Sequence, residues 1–454
     1  MNIHATTPTS FETVPVEAIT PASRNARRHT KAQIEQIAQS IKRFGFINPV
    51  LVDRDGKIVA GHGRFEAAKS LGRSTVPTLR IEHLSPAELR AYALADNQLA
   101  ALAGWDDELL KLELGELAVE LPDLDLTLTG FQTAELDRIL LPTPDAESDE
   151  TVEIPPVPER PVTRRGDIWL LDRHRILCGD ARFSDSYAKL LGEQRAGMVI
   201  TDPPYNVRID GHARGLGKDQ HADFAMASGE MTEEEFTAFL QTVCGHMASF
   251  SRPGALHYIC MDWRHMFETL QAGRSTYDRL VNLCVWAKGA GGMGSFYRSE
   301  HELVFVWRTK GAGHVNNVQL GRFGRNRTNV WRYAGANGFG AERDEMLRLH
   351  PTVKPTTMIA DAIRDGSKRN EIILDPFLGS GTTILAAEQT GRIGVGIEFE
   401  PKYTDVVVQR FEELTGCKTR HGLSGLTFAE EAELRHKTYD SASAVGDSDS
   451  KSEC

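Results

Sequence analysis

The chain has 454 residues, of which 41% are hydrophobic and 25% charged, and its formal net charge at pH 7 is -11. This length predicts two or three domains. The negative charge excludes a uniformly basic nucleic-acid-binding protein, so contact with nucleic acid has to come from a local patch. No apolar run approaches the ~18 residues that span a bilayer and no secretory signal opens the chain, which favours a cytoplasmic protein. The six cysteines lack any paired spacing, so we expect neither a metal site nor a disulfide framework.

Residues 10–85 alternate strand and helix signals and predict a small α+β domain. Thr30 caps a helix whose apolar residues recur at helical spacing, and Gly45 ends this helix. The stretch PVLVDRDGKIVAG, residues 49–61, predicts two short strands around a tight turn. Residues 61–72, GHGRFEAAKSLG, then predict a helix that opens and closes at glycine.

The rest of the chain divides by composition. Residues 86–141 predict a helical extension, and residues 142–164 hold six of the twenty prolines amid acidic residues, which is typical of a linker. Residues 165–420 alternate apolar, strand-like runs with helix-length segments. This alternation predicts an α/β fold with a doubly wound, mostly parallel sheet. The stretch from 428 to 454 ends in serine and aspartate and predicts a disordered tail.

A glycine-rich loop lies between two predicted strands in IILDPFLGSGTTILAAEQTGRIGVGIEFEPKY, residues 372–403. The first strand ends at Asp375, Gly379 and Gly381 precede a helix that begins near Thr382, and the second strand ends at Glu398. Such a loop lets a ligand approach the backbone, and an acid about twenty residues later is placed to bind both hydroxyls of a ribose. The third glycine of a dinucleotide fingerprint is absent, so a nucleoside joined to another group is favoured. The alternative is a glycine-rich connection in an ordinary sheet.

The stretch TDPPYNV, residues 201–207, follows an apolar run. Asp202 stands at the carboxyl end of a predicted strand, where open α/β sheets bind ligands. Pro203 and Pro204 fix the backbone and carry no N–H, which leaves carbonyl groups as acceptors. A carboxylate and a carbonyl together accept both hydrogens of an amino group, and Tyr205 offers a flat face for a ring. The sequence therefore predicts a pocket for an aromatic amine, with a purely structural turn as the alternative.

These motifs resemble those of the amino-methylating DNA methyltransferases that use S-adenosylmethionine. TDPPYNV, DPFLGSGTT, LHPTVKP at 349–355 and GIEFEPKY at 396–403 carry the resemblance, which covers about residues 165–415. The amino-group motif precedes the cofactor motif, an order similar to that of beta-type, CcrM-like adenine enzymes. The resemblance implies a Rossmann-like fold, double-stranded DNA as partner, a bacterial or phage source and methylation of the exocyclic amine of adenine. Cytosine as target, a catalytically silent DNA-binding protein and a homodimer are left open.

The resemblance also implies roles for individual residues. Asp202 and the carbonyl of Pro203 would hold the amino group, and Tyr205 would stack on a base extruded from the duplex. Lys354 in HPTVKP would reach the cofactor carboxylate, with a solvated lysine as the alternative. Together with the GD element at 176–181, the cofactor residues implied are Asp180, Asp375, Phe377, Gly379, Ser380, Gly381, Thr382, Thr383, Glu398 and Lys354. The glycine-punctuated residues 208–220 are a candidate segment to close over the site.

A basic stretch lies between Glu302 and Glu342, where no acidic residue occurs. Basic residues interleaved with aromatic ones suit contact with phosphates and bases, so we predict a target-recognition segment at about 303–341. A solvated basic face is the alternative. The predicted DNA-binding residues are Arg308, Lys310, Arg322, Arg325, Arg327 and Arg332.

The amino-terminal residues 47–72 resemble the ParB-like, or sulfiredoxin-like, nucleotide-binding domain. Gly61, Gly63 and Arg64 match its GxxR helix start, which in relatives binds phosphate. Phe65 stands where that family has a second basic residue. This departure leaves a DNA-docking or scaffolding domain open beside a nuclease or nucleotide-hydrolysing one.

Overall fold

The computed structural model divides the chain into two compact units, Met1–Pro142 (unit 1) and Thr143–Cys454 (unit 2). None of the helices in the described part of the chain is long and apolar enough to cross a membrane. The structure describes residues 10–141, 154–206, 229–289, 296–322, 325–334 and 354–437.

Unit 1 begins with a four-stranded sheet of order β1-β4-β2-β3. Its strands are β1 (Ser10–Pro15), β2 (Val50–Val52), β3 (Ile58–Ala60) and β4 (Thr75–Arg80), and its helices are α1 (Lys31–Phe44) and α2 (His62–Ser70). The Thr30 hydroxyl accepts a hydrogen bond from the Gln33 amide and Gly45 ends α1 with a φ of 86°, so both predicted ends of this helix are confirmed. Buried side chains of the sheet and of α2, among them Val50 and Phe65, form its core.

Three further helices complete unit 1: α3 (Pro86–Leu102), α4 (Asp107–Glu120) and α5 (Thr133–Leu140). The predicted capping box at the start of α3 is present, because Ser85 and Glu88 each bind the other's backbone amide. Helices α4 and α5 pack together through a small leucine cluster that includes Leu114 and Leu136.

Unit 2 is built on a ten-stranded sheet of order β11-β9-β10-β8-β7-β12-β13-β6-β5-β14. The strands are β5 (Ile168–Leu171), β6 (His174–Cys178), β7 (Ala196–Thr201), β8 (Ser251–Met261), β9 (Arg279–Ala287), β10 (His301–Arg308), β11 (Val330–Arg332), β12 (Ile372–Asp375), β13 (Ile393–Glu398) and β14 (Arg420–His421). The helices are α6 (Ser184–Leu191), α7 (Glu233–Ser249), α8 (Met266–Thr276), α9 (Thr356–Gly366), α10 (Thr382–Gln389) and α11 (Pro401–Thr415).

Alternating side chains of β7 show that helices cover both faces of this sheet. Val199 is buried in the cluster that contains residues of α6, α7 and α8. Met198 and Ile200 are buried in a second cluster, which contains residues of α9 and α10. Because successive residues of a strand point to opposite faces, the two helix layers lie on opposite sides, and the predicted doubly wound α/β fold is confirmed.

The centre of the sheet is parallel and its flanks are mixed. Strands β8, β7, β12, β13 and β6 are parallel neighbours. Strand β10 runs antiparallel to both β8 and β9, and β5 runs antiparallel to β6 and β14. The carboxyl ends of the five central strands therefore meet at one edge of the sheet, which we call the catalytic edge.

Two predicted boundaries are corrected by the packing of unit 2. The backbone amides of Val162 and Thr163 donate to the Asp405 carboxylate at 2.6 and 3.0 Å, so the second half of the predicted 142–164 linker packs on the domain. Residues 428–437, predicted to be disordered, form a helix because Phe428 packs its ring against a buried tryptophan. The described residues do not include 142–153 or 438–454.

Candidate active site

The structure brings the two motifs predicted from the sequence to the catalytic edge. Asp202 directly follows β7, and the glycine loop 376–381 follows the neighbouring strand β12. Glu398 ends β13 opposite Cys178, the last residue of β6. The amide of Gly179 donates to the Glu398 carbonyl at 2.8 Å, which fixes the two strand ends to each other.

Glycine stands at two positions of this loop for different physical reasons. Gly381 caps α10 with a φ of 87°, and a Cβ there would lie 2.7 Å from a methyl group of Val407. Gly379 has a φ of 55°, and a Cβ there would meet nothing within 4 Å. Only Gly379 therefore faces open space, which suits a ligand that lies against the backbone. The buried guanidinium of Arg410 donates to the Ser380 carbonyl at 2.7 Å and holds the loop from below.

Glu398 is a buried carboxylate directed at this loop. One oxygen accepts the amide of Gly379 and the other accepts the amide of Glu400, both at 2.8 Å. Burial raises the pKa of Glu398 to about 7 despite these hydrogen bonds. Each oxygen keeps a second lone pair, so the geometry fits the predicted contact with a pair of hydroxyl groups.

Asp375 and Thr383 support the loop, which differs from the predicted contact with a cofactor. The hydroxyls of Thr201 and Thr383 donate to the two oxygens of Asp375 at 2.7 and 2.6 Å. The amide of Phe377 also donates to Asp375, at 3.1 Å. Burial raises the pKa of Asp375 to about 6. Their polar atoms are thus engaged with each other.

Asp180 lies at the mouth of a cleft of about 440 Å³ that follows the end of β6. The cleft is lined by Gly179, Asp180, Phe183 and Ser186, among others. The Asp180 carboxylate receives the guanidinium of Arg182 at 2.7 Å. This placement beside the strand that carries Glu398 is compatible with the predicted role near the cofactor, which stays a prediction.

The Asp202 carboxylate is bonded at both oxygens. The Tyr205 hydroxyl donates to Oδ1 at 2.5 Å, and the ammonium group of Lys354 donates to Oδ2. Lys354 is 6% exposed and Asp202 is 26% exposed at their side chains. In this structure the lysine thus lies in the amino-group pocket, which gives no support to its predicted contact with the cofactor carboxylate.

Glu302 and Lys288 complete this pocket, and sequence reasoning missed both. Glu302 is buried on β10, where its Oε2 lies 3.2 Å from the Lys354 ammonium and 3.2 Å from the Tyr205 hydroxyl. Lys288, just after β9, bonds the other oxygen of Glu302. Burial alone would raise the pKa of Glu302, but the two ammonium groups lower it to about 2. An acidic residue inside the apolar run of β10 was the available signal, since charged side chains are rarely buried unpaired.

Asn206 closes the motif at its carboxyl end. Its φ is 51°, a left-handed conformation that asparagine tolerates better than most residues. The side chain accepts from the amides of Gly229 and Met231 at 3.1 and 3.2 Å and donates to the Met231 carbonyl at 2.9 Å. Asn206 thus ties the end of the motif to residues 229–231. The predicted closing segment, residues 208–220, lies outside the described residues.

Arg325 and Arg327 are ion-paired within the protein, which gives no support to the predicted phosphate contacts; their DNA-binding role stays a prediction. Arg325 Nη2 lies 2.7 Å from Asp365 Oδ1. Arg327 Nε lies 3.0 Å from Asp365 Oδ2, and its Nη1 lies 3.0 Å from Asp361 Oδ2. The Tyr333 hydroxyl donates to Asp361 at 2.5 Å. These five residues, which we call the α9 brace, attach the chain around β11 to helix α9.

Arg308 and Lys310 lie away from the catalytic edge. Because β10 runs antiparallel to β8, Arg308 pairs with Leu256, five residues before the end of β8. Its guanidinium bonds Asp278, and Lys310 follows as an exposed residue. The DNA-binding role predicted for these two residues stays a prediction.

The aromatic residues of the predicted target-recognition segment belong largely to the core. Trp307 and Trp331 are buried, and residues 303–307 form the buried strand β10. The start of the predicted segment is therefore wrong. Arg322 and Arg332 are exposed, and Arg332 pairs with Ala287 at the catalytic edge. Their DNA-binding role stays a prediction, and residues 323–324 and 335–341 lie outside the described residues.

In unit 1 the predicted phosphate-binding turn has the geometry of a helix start. Gly61 caps α2 with a φ of 97°, and the Arg64 guanidinium folds back over it. A Cβ at Gly63 would lie 3.0 Å from the end of the Ile37 side chain, so packing favours a glycine at this position. Phe65 is buried in the core, which explains why a basic residue is absent there. Phosphate binding stays a prediction.

Comparisons with known proteins match three stretches of the chain. Residues 196–409 match the DNA methylase family, residues 2–98 the ParB N-terminal domain, and residues 108–165 the ParB-methyltransferase HTH domain. Type II methyltransferase M.ScaI of Streptomyces caespitosus is 27% identical over 252 residues, which cover 49% of this chain and 77% of M.ScaI.

Two further relatives match other stretches. The ParB-like nuclease domain-containing protein YnaK of Escherichia coli is 44% identical over 71 residues, which cover 16% of this chain and 82% of YnaK. Among solved structures, the M1.HpyAVI–SAM complex is 20% identical and covers 52% of this chain and 97% of its own, with a TM-score of 0.38. The sequence matches lead to one conclusion: residues 196–409 of this chain form a domain of the DNA methylase family, and residues 2–98 form an amino-terminal domain of the ParB family.

Proposed function

We propose that this DNA methylase transfers a methyl group from S-adenosylmethionine to the exocyclic amino group of adenine in duplex DNA. The observation that carries the proposal is the placement of two motifs on neighbouring parallel strands. Asp202 and the prolines after it end β7, and the glycine loop follows β12. An acceptor for an amino group and a cradle for a nucleoside are thus side by side at the catalytic edge.

The residues present fit the cofactor. Gly379 faces open space at the loop, and the buried Glu398 carboxylate keeps lone pairs for the ribose hydroxyls. The cleft beside Asp180 offers room at the end of β6, the strand that neighbours the one carrying Glu398. When bound, S-adenosylmethionine supplies an electrophilic methyl group on a sulfonium. Phe377, Gly379 and Glu398 would hold it, with Asp180 at its far end.

The chain's own residues prepare the nucleophile. A base inside a stacked duplex cannot present its amino group in line with a methyl donor, so the target has to be extruded. Asp202 then accepts one amino hydrogen and the Pro203 carbonyl accepts the other. This pairing pulls the amine out of conjugation and directs the nitrogen lone pair at the methyl group. The nitrogen would gain the methyl group as the bond between that methyl group and sulfur breaks, which would leave a neutral thioether, and one amino proton would pass to solvent.

Adenine is proposed over cytosine because Asp precedes Pro-Pro-Tyr, as in the adenine enzymes that this motif resembles. Cytosine presents its amino group to Asp202 in the same geometry and is the second candidate. A catalytically silent DNA-binding protein is disfavoured, since Asp202 and Glu398 are both present at the edge where the two motifs meet.

Mass spectrometry of nucleosides tests the proposal. The full chain is incubated with methyl-labelled S-adenosylmethionine and duplex DNA of mixed sequence, with an Asp202→Ala variant as the control. Label in N6-methyladenine, absent with the control, is the expected result. Label in methylated cytosine would overturn the choice of base. A folded chain that binds the cofactor and transfers no label would overturn the function.

A further inference from the structure

Four charged side chains of alternating sign lie in a row beside the acceptor motif. They are Asp202, Lys354, Glu302 and Lys288, and we call them the charge quartet. Lys354 and Glu302, the inner pair, are 6% and 9% exposed at their side chains. The row contains two carboxylates and two ammonium groups, so its formal charge is zero when all four are ionised.

The cost of burying such a row indicates that it does more than fill space. Each buried ion loses much of its hydration free energy, and apolar residues of similar volume often give a protein that is as stable. The inner pair nevertheless lies directly on Asp202 and Tyr205. The groups of the neighbouring strands that face Asp202 are Cys260 of β8 and the Asp375 carboxylate of β12, and neither is a cation. Among the groups that face Asp202 in the described residues, Lys354 is thus the one positive charge in contact with it.

The hydrogen bonds of Lys354 to the protein use all the N–H donors of its ammonium group, so none is left for a cofactor. Its ammonium group points at Asp202, at Glu302 at 3.2 Å and at the Tyr205 hydroxyl at 3.4 Å. A lysine has three N–H donors, so these three partners account for all of them. Asp202 is different. Its two oxygens offer about four lone-pair sites, of which Tyr205 and Lys354 take one each.

We propose that Lys354 is a positioning residue for methyl transfer: it holds the Asp202 carboxylate ionised and oriented toward the target amine, while Glu302, anchored by Lys288, holds Lys354 in place. This inference rests on the proposed function, because it assigns Asp202 as the acceptor of the amino hydrogens. A protonated Asp202 would lose lone-pair sites and present a donor to the amine.

The electrostatics of the site agree with this role. Burial raises the pKa of Asp202, and Glu302 adds to the rise, whereas the Lys354 ammonium opposes it. Burial would lower the pKa of Lys354, but the carboxylates of Asp202 and Glu302 raise it above its ordinary value. Without the lysine, two carboxylates would face each other out of water, and one of them would take up a proton near neutral pH.

Three variants of the full chain test the inference. Lys354→Met keeps the length of the side chain and removes its charge, and Lys354→Met with Glu302→Gln removes one charge of each sign. Lys418→Met is the matched control, because Lys418 is exposed and pairs only with Glu412 in the described residues. For each variant, kcat is measured against pH and S-adenosylmethionine affinity is measured by calorimetry.

The expected result is a shift of the acid limb. An opposite charge in contact with a carboxyl group lowers its pKa by about 1–3 units, so in Lys354→Met the acid limb of the kcat profile should move up by about 1–3 pH units. In the double variant it should return toward the wild-type position, since the facing carboxylate is gone. Cofactor affinity should stay within about twofold in both. Lys418→Met should match the wild type in every measurement.

Other outcomes overturn the inference in distinguishable ways. A tenfold or larger loss of cofactor affinity in Lys354→Met, with an unchanged acid limb, would indicate that Lys354 contacts the cofactor and does not position Asp202. A folded Lys354→Met variant with the wild-type profile would overturn the positioning role while the proposed function stands. If the single variant does not fold, the double variant decides: its acid limb returns toward the wild-type position, but its plateau kcat should fall because the lysine that orients Asp202 is gone, and a full wild-type plateau kcat would overturn the role. A wild-type chain that transfers no methyl group would overturn the proposed function and this inference together.

Discussion

Replacing Arg327 by methionine separates a structural role from a DNA-binding role. The guanidinium contacts both acids of the α9 brace at 3.0 Å and the Tyr333 hydroxyl at 2.6 Å, and its side chain is 20% exposed. Removing one member of a buried ion pair costs about 3–5 kcal/mol, because its partner keeps an uncompensated charge. Arg325 still pairs with both acids after the substitution. We therefore expect Arg327→Met to lower the free energy of unfolding by about 3 kcal/mol, the lower end of this range.

Tryptophan fluorescence during urea and thermal unfolding measures this loss. Trp286 and Trp331 lie beside the brace, so they report on unit 2. For a unit of this size, 1 kcal/mol corresponds to about 2 °C in Tm, and the substitution should lower the Tm by roughly 6 °C. Arg332→Met is the control. Arg332 is exposed on β11, and its replacement should change the free energy of unfolding by less than about 0.5 kcal/mol.

DNA affinity measured over a series of salt concentrations tests the alternative, in which Arg327 contacts a DNA phosphate. A residue that contacts a phosphate contributes about 1 to the slope of log affinity against log salt. Because Arg327 is paired inside the protein, the slope should be unchanged in the folded Arg327→Met variant. A variant as stable as the wild type whose slope falls by about 1 would refute the assignment of Arg327 to the brace and restore the predicted phosphate contact.

Three further predictions concern the site and the two units. Asp202→Ala should abolish methyl transfer and leave cofactor affinity nearly intact, because it removes a contact made to the target and not to the cofactor; methylation by the folded variant would contradict the assigned role. Glu398→Ala should weaken S-adenosylmethionine binding by about 1–3 kcal/mol. Burial raises the pKa of Glu398 to about 7, and the ionised form accepts both hydroxyls, so wild-type affinity should fall about tenfold from pH 8 to pH 6, whereas Glu398→Gln should show a much flatter profile. A chain shortened to residues 143–454 should still bind the cofactor, since unit 2 is compact by itself; if it binds cofactor but methylates no DNA at any concentration, unit 1 takes part in the catalytic assembly.

The strands and motif loops of unit 2 could be predicted because their signals are local. The apolar run of β12 and the acid that ends it coincide with the strand Ile372–Asp375. The turn at Gly379 and Gly381 needs positive φ angles, and the two glycines in the sequence indicate such a turn. In such stretches, each residue type is selected by its immediate backbone or by the face of the sheet it occupies. A single sequence is therefore sufficient to predict the strands and the motif loops that meet at the catalytic edge, but not the side chains that reach them from elsewhere in the chain.

The α9 brace could not be predicted because its ion pairs are long-range. Arg325 and Arg327 lie in a window without acidic residues, which made them look unpaired. Their partners Asp361 and Asp365 stand 34–40 residues later, beyond the end of that window. A charge count along the chain detects segregation in sequence, whereas pairing is decided in space. The same reason hid the contact of Lys354 with Asp202, 152 residues away.

The charge quartet shows that the four-residue motif is only half of the acceptor site. Asp202 and Tyr205 come from the end of β7, but Glu302 comes from β10, two strands away, and Lys354 from the residues before α9. A buried aspartate with no cation beside it would favour its neutral form, so the motif alone does not guarantee an ionised acceptor at neutral pH. The quartet supplies what the motif lacks. The α9 brace fixes the helix that begins just after Lys354, which links the stability of this distant ion-pair network to the geometry at Asp202.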